Sequence, residues 1–222
     1  MCGRFTLTDP DQDLAAQFNL PEIPDMQPRY NIAPTQPVAA VRVAPDAASP
    51  DAAPVRELAL LHWGLIPFWA KDPKIGSRMI NARSETVAEK PAFRAAFRRR
   101  RCLVVADGFY EWQKLERGKQ PFYVRLRNGQ PFAFAGLWEQ WKRPDDHVIE
   151  SCTLLTTQPN NLIRPVHNRM PVILHPSDYD LWLDPEVQQA DHLQPLLRAY
   201  PPEEMEAYPI SRFVNHPDND DA

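Results

Sequence analysis

The chain has 222 residues, 43% of them hydrophobic and 24% charged, a balance that argues against disorder and suits one large domain with a full core. A net charge of −4 argues by itself against nucleic-acid binding. No apolar run approaches the roughly 20 residues that cross a bilayer, and the amino terminus lacks the basic and apolar regions of a secretory signal, so no membrane association is expected.

The first residues are MCGRF. If Met1 is removed, Cys2 carries a free α-amine and a thiol on adjacent carbons, a 1,2-aminothiol. TDPDQDLAAQF, residues 8–18, reads as a short helix with Asp9 as N-cap and Pro10 in its first position. Strands are expected at 37–43 and 55–63. The Ala/Pro/Asp-rich segment at 44–54 between them reads as a mobile hairpin loop. SETVAEK (84–90) and PAFRAAFRRRR (91–101) suggest two short helices separated at Pro91, with Phe93, Ala96 and Phe97 facing a core. Strands then dominate at 101–115, 120–127, 130–141, 148–157 and 170–175, with turns at ERGK and RNGQ, a pattern of antiparallel sheets. Helices are expected at 177–183 and 191–200, and a disordered tail at 216–222.

The 25 prolines against 7 glycines fit this picture of short elements and stiff connections. Cys2, Cys102 and Cys152 are odd in number and show no C-x-x-C spacing, so neither a disulfide framework nor a zinc site is suggested. Cys102 and Cys152, inside apolar runs, read as core residues.

Charge is unevenly spread. Residues 56–101 hold 11 Lys/Arg and 4 Asp/Glu, a net +7, leaving −11 elsewhere. The run Arg98 to Arg101 fits either a solvated helix end at the negative pole of the dipole or a basic surface that tracks phosphates. The second reading needs aromatic partners for bases, and Phe68 and Trp69 supply a pair.

Three further polar residues interrupt apolar or strand-like contexts. Asn81 in MINARSE fits a backbone cap or turn as well as a site. Glu111 in DGFYEW fits the wet face of a strand as well as catalysis. His167 in RPVHNRMPV fits a structural or exposed histidine as well as a general acid. Together with Cys2 they describe one chemistry. An α-amine has an ordinary pKa of about 7.7–8.0 and a thiol one of about 8.5, so near neutral pH a minority of each is deprotonated. The amine condenses with an aldehyde to a Schiff base, and the thiolate closes on the imine carbon to give a thiazolidine. That sequence calls for a proton-moving group, an uncharged group that orients the amine, and an imidazole or cation that protonates the sugar oxygen.

MCGRF, RYNIAP (29–34), INARSET (80–86), VADGFYEW (105–112) and VHNRMPVIL (166–174) closely resemble the SOS response-associated peptidase (SRAP) family, abasic-site processing proteins that crosslink themselves to single-stranded DNA. The resemblance runs from Cys2 to PISRFVN at 209–215. It implies a single SRAP domain over 1–222, an α+β fold of antiparallel, partly barrel-like sheets with short peripheral helices. It also implies removal of Met1 and a covalent thiazolidine between Cys2 and an abasic site, shielding the lesion in the DNA damage response. By the same resemblance Cys2 is the nucleophile, Asn81 positions its amine, Glu111 is the general acid/base and His167 promotes ring opening. Arg4, Asn31, Arg83, Thr156 and Arg169 are expected at phosphates and sugar, and Phe68 and Trp69 as an aromatic wedge worth about 1–3 kcal/mol per stacked base.

No metal or other cofactor is implied. The implied partner is single-stranded DNA containing abasic sites. A monomer is expected, in the cytoplasm and nucleoid of a bacterium or the nucleus of a eukaryote. The segment at 44–54 departs from the family pattern. Only Met1 precedes Cys2, so the autopeptidase reaction of the family's name and an ordinary aminopeptidase both account for its removal. Two rival functions stay in view: an N-terminal-cysteine thiol peptidase or amidase using Cys2 and His167, and a noncovalent single-stranded DNA binding module.

Overall fold

The computed structural model describes residues 2–9, 14–45, 55–143 and 145–221. Its strands are β1 (Phe5–Leu7), β2 (Arg29–Ile32), β3 (Pro37–Val43), β4 (Arg56–Trp63), β5 (Asn81–Arg83), β6 (Arg101–Ala106), β7 (Gly108–Lys114), β8 (Lys119–Leu126), β9 (Phe132–Lys142), β10 (Val148–Thr157), β11 (Met170–Pro171), β12 (Ile173–Leu174) and β13 (Met205–Pro209). The α-helices are short: α1 (Leu14–Phe18), α2 (Arg94–Arg99), α3 (Tyr179–Leu183) and α4 (Ala190–Leu193).

Strands with unbroken apolar runs are buried on both faces. β6 is buried at every position, and β9 from Phe132 to Glu139. These two form part of a ring in which β3 pairs with β4 and β6, β6 with β9, β9 with β10, and β10 with β4. Five strands therefore close into a barrel. β11 and β5 attach to β10, and β12 to β9. A second, antiparallel sheet has the order β13-β8-β7-β1-β2. Phe5 on β1 joins the two, packing edge-on at 5.1 Å from Trp63 of β4 and 5.7 Å from Phe134 of β9.

The α+β, partly barrel-like expectation holds. The sheets are not purely antiparallel, however, because β10 runs parallel to β4 and to β5. Such pairs need long crossovers, and long stretches of chain separate these strands.

Residues 84–90 form consecutive turns rather than a helix. Ser84 N–H is taken by Thr156 O at 2.9 Å, and Glu89 N–H bonds Thr86 O at 3.1 Å. Pro91 offers no N–H and disfavours helical backbone at Lys90, so regular helix begins only at Arg94. Ala96 and Phe97 are buried as their spacing predicts. The late helices are also broken into pieces, α3 following a 3₁₀ turn at Pro176–Asp178 and α4 passing into another at Gln194–Leu196.

Arg101 lies at the negative pole of α2, as the helix-end reading of the basic run expects, but it is not solvated. It is buried, and its guanidinium closes the end of α2 by donating to Phe97 O and Arg98 O at 2.8 and 2.7 Å, with further bonds to Trp182 O and Asp184 O. Arg98 and Arg99 are exposed.

β3 and β4 pair from Pro37↔His62 to Val43↔Arg56. Residues 46–54 of the expected mobile loop, and the expected helix start at Pro10, lie outside the described residues. Residues 216–221, expected as a disordered tail, are docked: the Asp220 carboxylate accepts from Tyr30 N and Asn31 N at 2.6 Å each and pairs with Arg29. An acidic side chain thereby satisfies free N–H groups along the edge strand β2. Among the described residues no helix is long and apolar enough to cross a membrane.

Candidate active site

β1 is three residues long, and what fixes it is its position between β7 and β2, with Phe5 opposite Phe109 and Ile32. The pairing continues beyond the strand, since Tyr110 N donates to Arg4 O at 3.0 Å. One more step of the antiparallel register sets Gly3 opposite Glu111, so the chain end runs alongside that carboxyl. Cys2 is fully buried, and its thiol lies 3.7 Å from Arg4 O. Burial first, and then the charge of Glu111, push the thiol well above its ordinary range. The expectation of a partly ionised Cys2 thiol is thus corrected: desolvation keeps it protonated until a base takes the proton.

Glu111 is 1% exposed, which removes the solvent-facing alternative. Burial raises its carboxyl to about 7, against an opposing pull from the amino-terminal charge. A carboxyl at that value exchanges protons in both directions near neutral pH. Asn81 opens β5, which β10 holds in parallel register at Leu154↔Asn81. Its Nδ2 donates to Cys2 O at 2.8 Å, while its buried Oδ1 accepts no hydrogen bond among the described residues. An acceptor left so costs about 1–3 kcal/mol, and the molecule keeps this one beside the chain end.

His167 stands on a turn that Asn160 organises by accepting from Leu162 N and Ile163 N, and that Gln113 Nε2 ties to β7 through Pro165 O at 3.1 Å. Arg169 N–H donates to His167 Nδ1 at 3.1 Å. Arg169 O lies 3.2 Å from the same nitrogen, so Nδ1 accepts from the amide in one neutral tautomer and donates to the carbonyl in the other. Burial lowers the pKa of His167, which favours the neutral ring. The charge of Glu111 acts on the Cys2 thiol, which sets carboxyl and thiol side by side.

The residues expected at DNA divide into two groups. Phe68 and Trp69 are 60% and 50% exposed on a loop pinned at both ends, by Ile66 N to Ser151 Oγ at 2.8 Å and by Trp141 Nε1 to Ala70 O at 2.7 Å. The loop starts at Gly64, whose φ of +139° and close approach to Gly76 O, 2.7 Å from where a Cβ would stand, leave no room for a side chain. Phe68 borders a cleft with Arg98, Arg99 and Arg100, and Trp69 a second with Lys71, Lys74 and Arg78. Arg83 is exposed at the end of β5.

The other four are held by protein partners. Arg169 makes a two-pronged pair with Glu85 at 2.6 and 2.9 Å and donates to Thr156 O, and Thr156 is buried. Arg4 donates to Asn31 Oδ1 at 2.7 Å, and buried Asn31 gathers Val214 O, His216 O and Asn219 O on its Nδ2. Asn31 is thus the hub that fastens the carboxyl-terminal segment. The sequence reading passed over Trp112, Lys119, Arg212 and Asp220. Lys119 and Arg212 stand in polar stretches and only the fold brings them to one groove, while Asp220 docks on β2. Among the described residues no cluster of three or more His, Cys, Asp and Glu is arranged to hold a metal ion.

Fold and site define an α+β protein with a five-stranded barrel that buries Cys2 between two sheets, next to a glutamate poised near neutrality. Residues 1–217 match the family model described as SOS response associated peptidase (SRAP), and the chain belongs to that family. It is 44% identical over 223 residues to abasic site processing protein YoqW of Bacillus subtilis, covering 99% of this chain and 96% of the relative. It is 35% identical over 188 residues to abasic site processing protein HMCES of Xenopus tropicalis, covering 74% of this chain and 55% of the relative. Among solved structures, it is similar to a protein from Bacteroides thetaiotaomicron (TM-score 0.85, 26% identity, 99% and 97% of the two chains). It is also similar to a phage-related protein from Bordetella bronchiseptica (TM-score 0.73, 28% identity, 94% of each).

Proposed function

We propose that this chain, with Met1 removed, processes abasic sites in single-stranded DNA by trapping the lesion's aldehyde on Cys2 as a thiazolidine. The observation that carries this reading is the meeting of Cys2, Asn81 and Glu111 at the chain end, with Asn81 Nδ2 on Cys2 O at 2.8 Å and the Glu111 carboxyl raised to about 7. The names of the relatives support the substrate, and the exposed Phe68 and Trp69 beside cationic clefts suit a single strand.

The steps balance as follows. With His167 relaying the proton, the sugar ring opens as the C1′ hydroxyl loses a proton and the ring oxygen gains one, and the α-amine of Cys2 adds to the C1′ aldehyde. Loss of water from the carbinolamine leaves a protonated imine. Ionised Glu111 takes the Cys2 thiol proton, sulfur bonds to C1′, and the imine electron pair returns to nitrogen. Nitrogen ends neutral with its one N–H, and the thiol proton on Glu111 leaves to solvent, matching the proton that solvent supplied when the carbinolamine hydroxyl left as water. The adduct equals protein plus DNA minus one water. Asn81 holds the Cys2 backbone while amine and thiol act in turn on one carbon.

A Cys–His peptidase is the weaker reading. Such a pair lowers the thiol pKa, whereas here the thiol is raised and the charged side chain acting on it is Glu111.

Intact-mass spectrometry of untagged protein, with and without an oligonucleotide bearing one abasic site, tests the proposal against Cys2→Ala. An adduct of protein without Met1 plus DNA minus water, absent in the variant, is expected. Loss of Met1 with no adduct would overturn it.

A further inference from the structure

We infer that a cationic groove between the β7–β8 turn and the carboxyl-terminal segment is a second nucleic-acid subsite, in which Arg4, Lys119 and Arg212 hold a strand phosphodiester and Trp112 receives the adjoining base. The inference rests on the reading that the ligand is single-stranded DNA, and to Arg4, which the family resemblance already sets at phosphates, it adds Trp112, Lys119 and Arg212.

The groove has a volume of about 500 Å³ and is lined by Arg4, Trp112, Gly118, Lys119, Arg212 and Asn215. Three of the six are cations, and among the described residues none of the six is acidic. Arg4 is half-buried, and the groups its guanidinium reaches are neutral oxygens: Asn31 Oδ1 at 2.7 Å, Val214 O at 3.0 Å and Asn215 O at 3.3 Å. Burial lowers its pKa, as happens to a partly desolvated cation lacking an anion. Arg212 Nη2 lies 4.0 Å from where a Cβ on Gly118 would stand, which brings this cation over the hairpin turn to Lys119. Trp112 Nε1 is engaged by Asn215 Oδ1 at 2.8 Å. That bond uses the ring's one donor and fixes the indole plane, and the half-buried ring borders the groove.

The wall is firm as well as charged. The three carbonyls on Asn31 Nδ2 and the two β2 amides on Asp220 hold residues 214–220 against the second sheet. The groove also adjoins the reaction site, because Trp112 follows Glu111, Arg4 lies two residues after Cys2, and the charge of Lys119 reaches His167. A strand with its aldehyde at Cys2 would have a neighbouring phosphate within reach of these cations.

The test measures binding of full-length protein to an undamaged single-stranded oligonucleotide over a range of NaCl concentrations, for wild type, Arg212→Gln, Lys119→Gln, the double variant and Arg212→Lys. Each lost contact should lower the slope of log affinity against log salt by about 0.7. The double variant should lose about twice that, and Arg212→Lys should keep the wild-type slope. Slopes and affinities equal to wild type in both glutamine variants would overturn the subsite. Displacement of the strand by low-millimolar inorganic phosphate, at ionic strength matched with chloride, would also overturn it by assigning the groove to a free anion. Wild type that fails to bind the strand would instead defeat the underlying single-stranded DNA reading, and the two failures are distinguishable because no crosslink is required.

Discussion

Replacing Glu111 by glutamine separates what the carboxyl does for the reaction from what it does to the fold. Burial holds this group up from the ordinary 4.5 to about 7. Between those values the unfolded chain releases the proton and the folded chain retains it. Wild-type stability therefore falls as pH rises from 4.5 to about 7 and levels off above. At roughly 1.4 kcal/mol for each tenfold change in proton affinity, the ionised carboxyl destabilises the fold by about 3 kcal/mol at pH 8.5. The amide of Glu111→Gln is nearly isosteric and never ionises. Urea unfolding should give similar stabilities for the two proteins near pH 4, and a gap opening toward 3 kcal/mol in favour of the variant at pH 8.5. Crosslinking to abasic DNA at pH 7.5 should slow about a hundredfold or more, the lower range for loss of a general acid/base. The wild-type rate should rise with pH through about 7 as the base ionises. A stability difference that does not change with pH would refute the claim that desolvation poises Glu111, and an unslowed crosslink would refute its proton-transfer role.

Trp69→Ala should weaken binding to undamaged single strands by about 1–3 kcal/mol, the worth of one stacked base; fluorescence anisotropy titration checks this, and unchanged affinity would remove Trp69 from the contact surface. Gly108→Ala should destabilise the chain by about 1–3 kcal/mol through overpacking, because the new Cβ would stand 2.1 Å from Tyr123 Oη, an oxygen held by Thr6 Oγ1 at 3.1 Å. Since Thr6 opposes Gly108 on the strand that leads from Cys2, thermal midpoint and crosslinking rate should fall together.

Much of the molecule is written in local pattern. Strand patterns at 101–115 and 130–141 carried β6, β7 and β9, and the helical spacing put Ala96 and Phe97 in the core, with Phe93 half-buried just ahead of α2. The motifs around Cys2, Asn81, Glu111 and His167 were legible because ordered short strings specify a family without reference to distance. Helix at 84–90 was misread because propensity is local, whereas the bond from Ser84 N to Thr156 O and the break at Pro91 decide the segment. Barrel closure, and the parallel course of β10 beside β4 and β5, depend on pairings between residues far apart in the chain that no periodicity encodes.

The sequence by itself determined which chemistry is available: a thiol next to a chain end, a carboxylate, an amide and an imidazole, each an intrinsic property of a residue. Tertiary structure decided their state. Whether a carboxyl titrates near 4.5 or near 7, whether a thiol is ionised, and whether Arg101 faces water or closes a helix all depend on desolvation and on partners brought together by the fold. Those are properties of a location in space, and a position along the chain does not carry them.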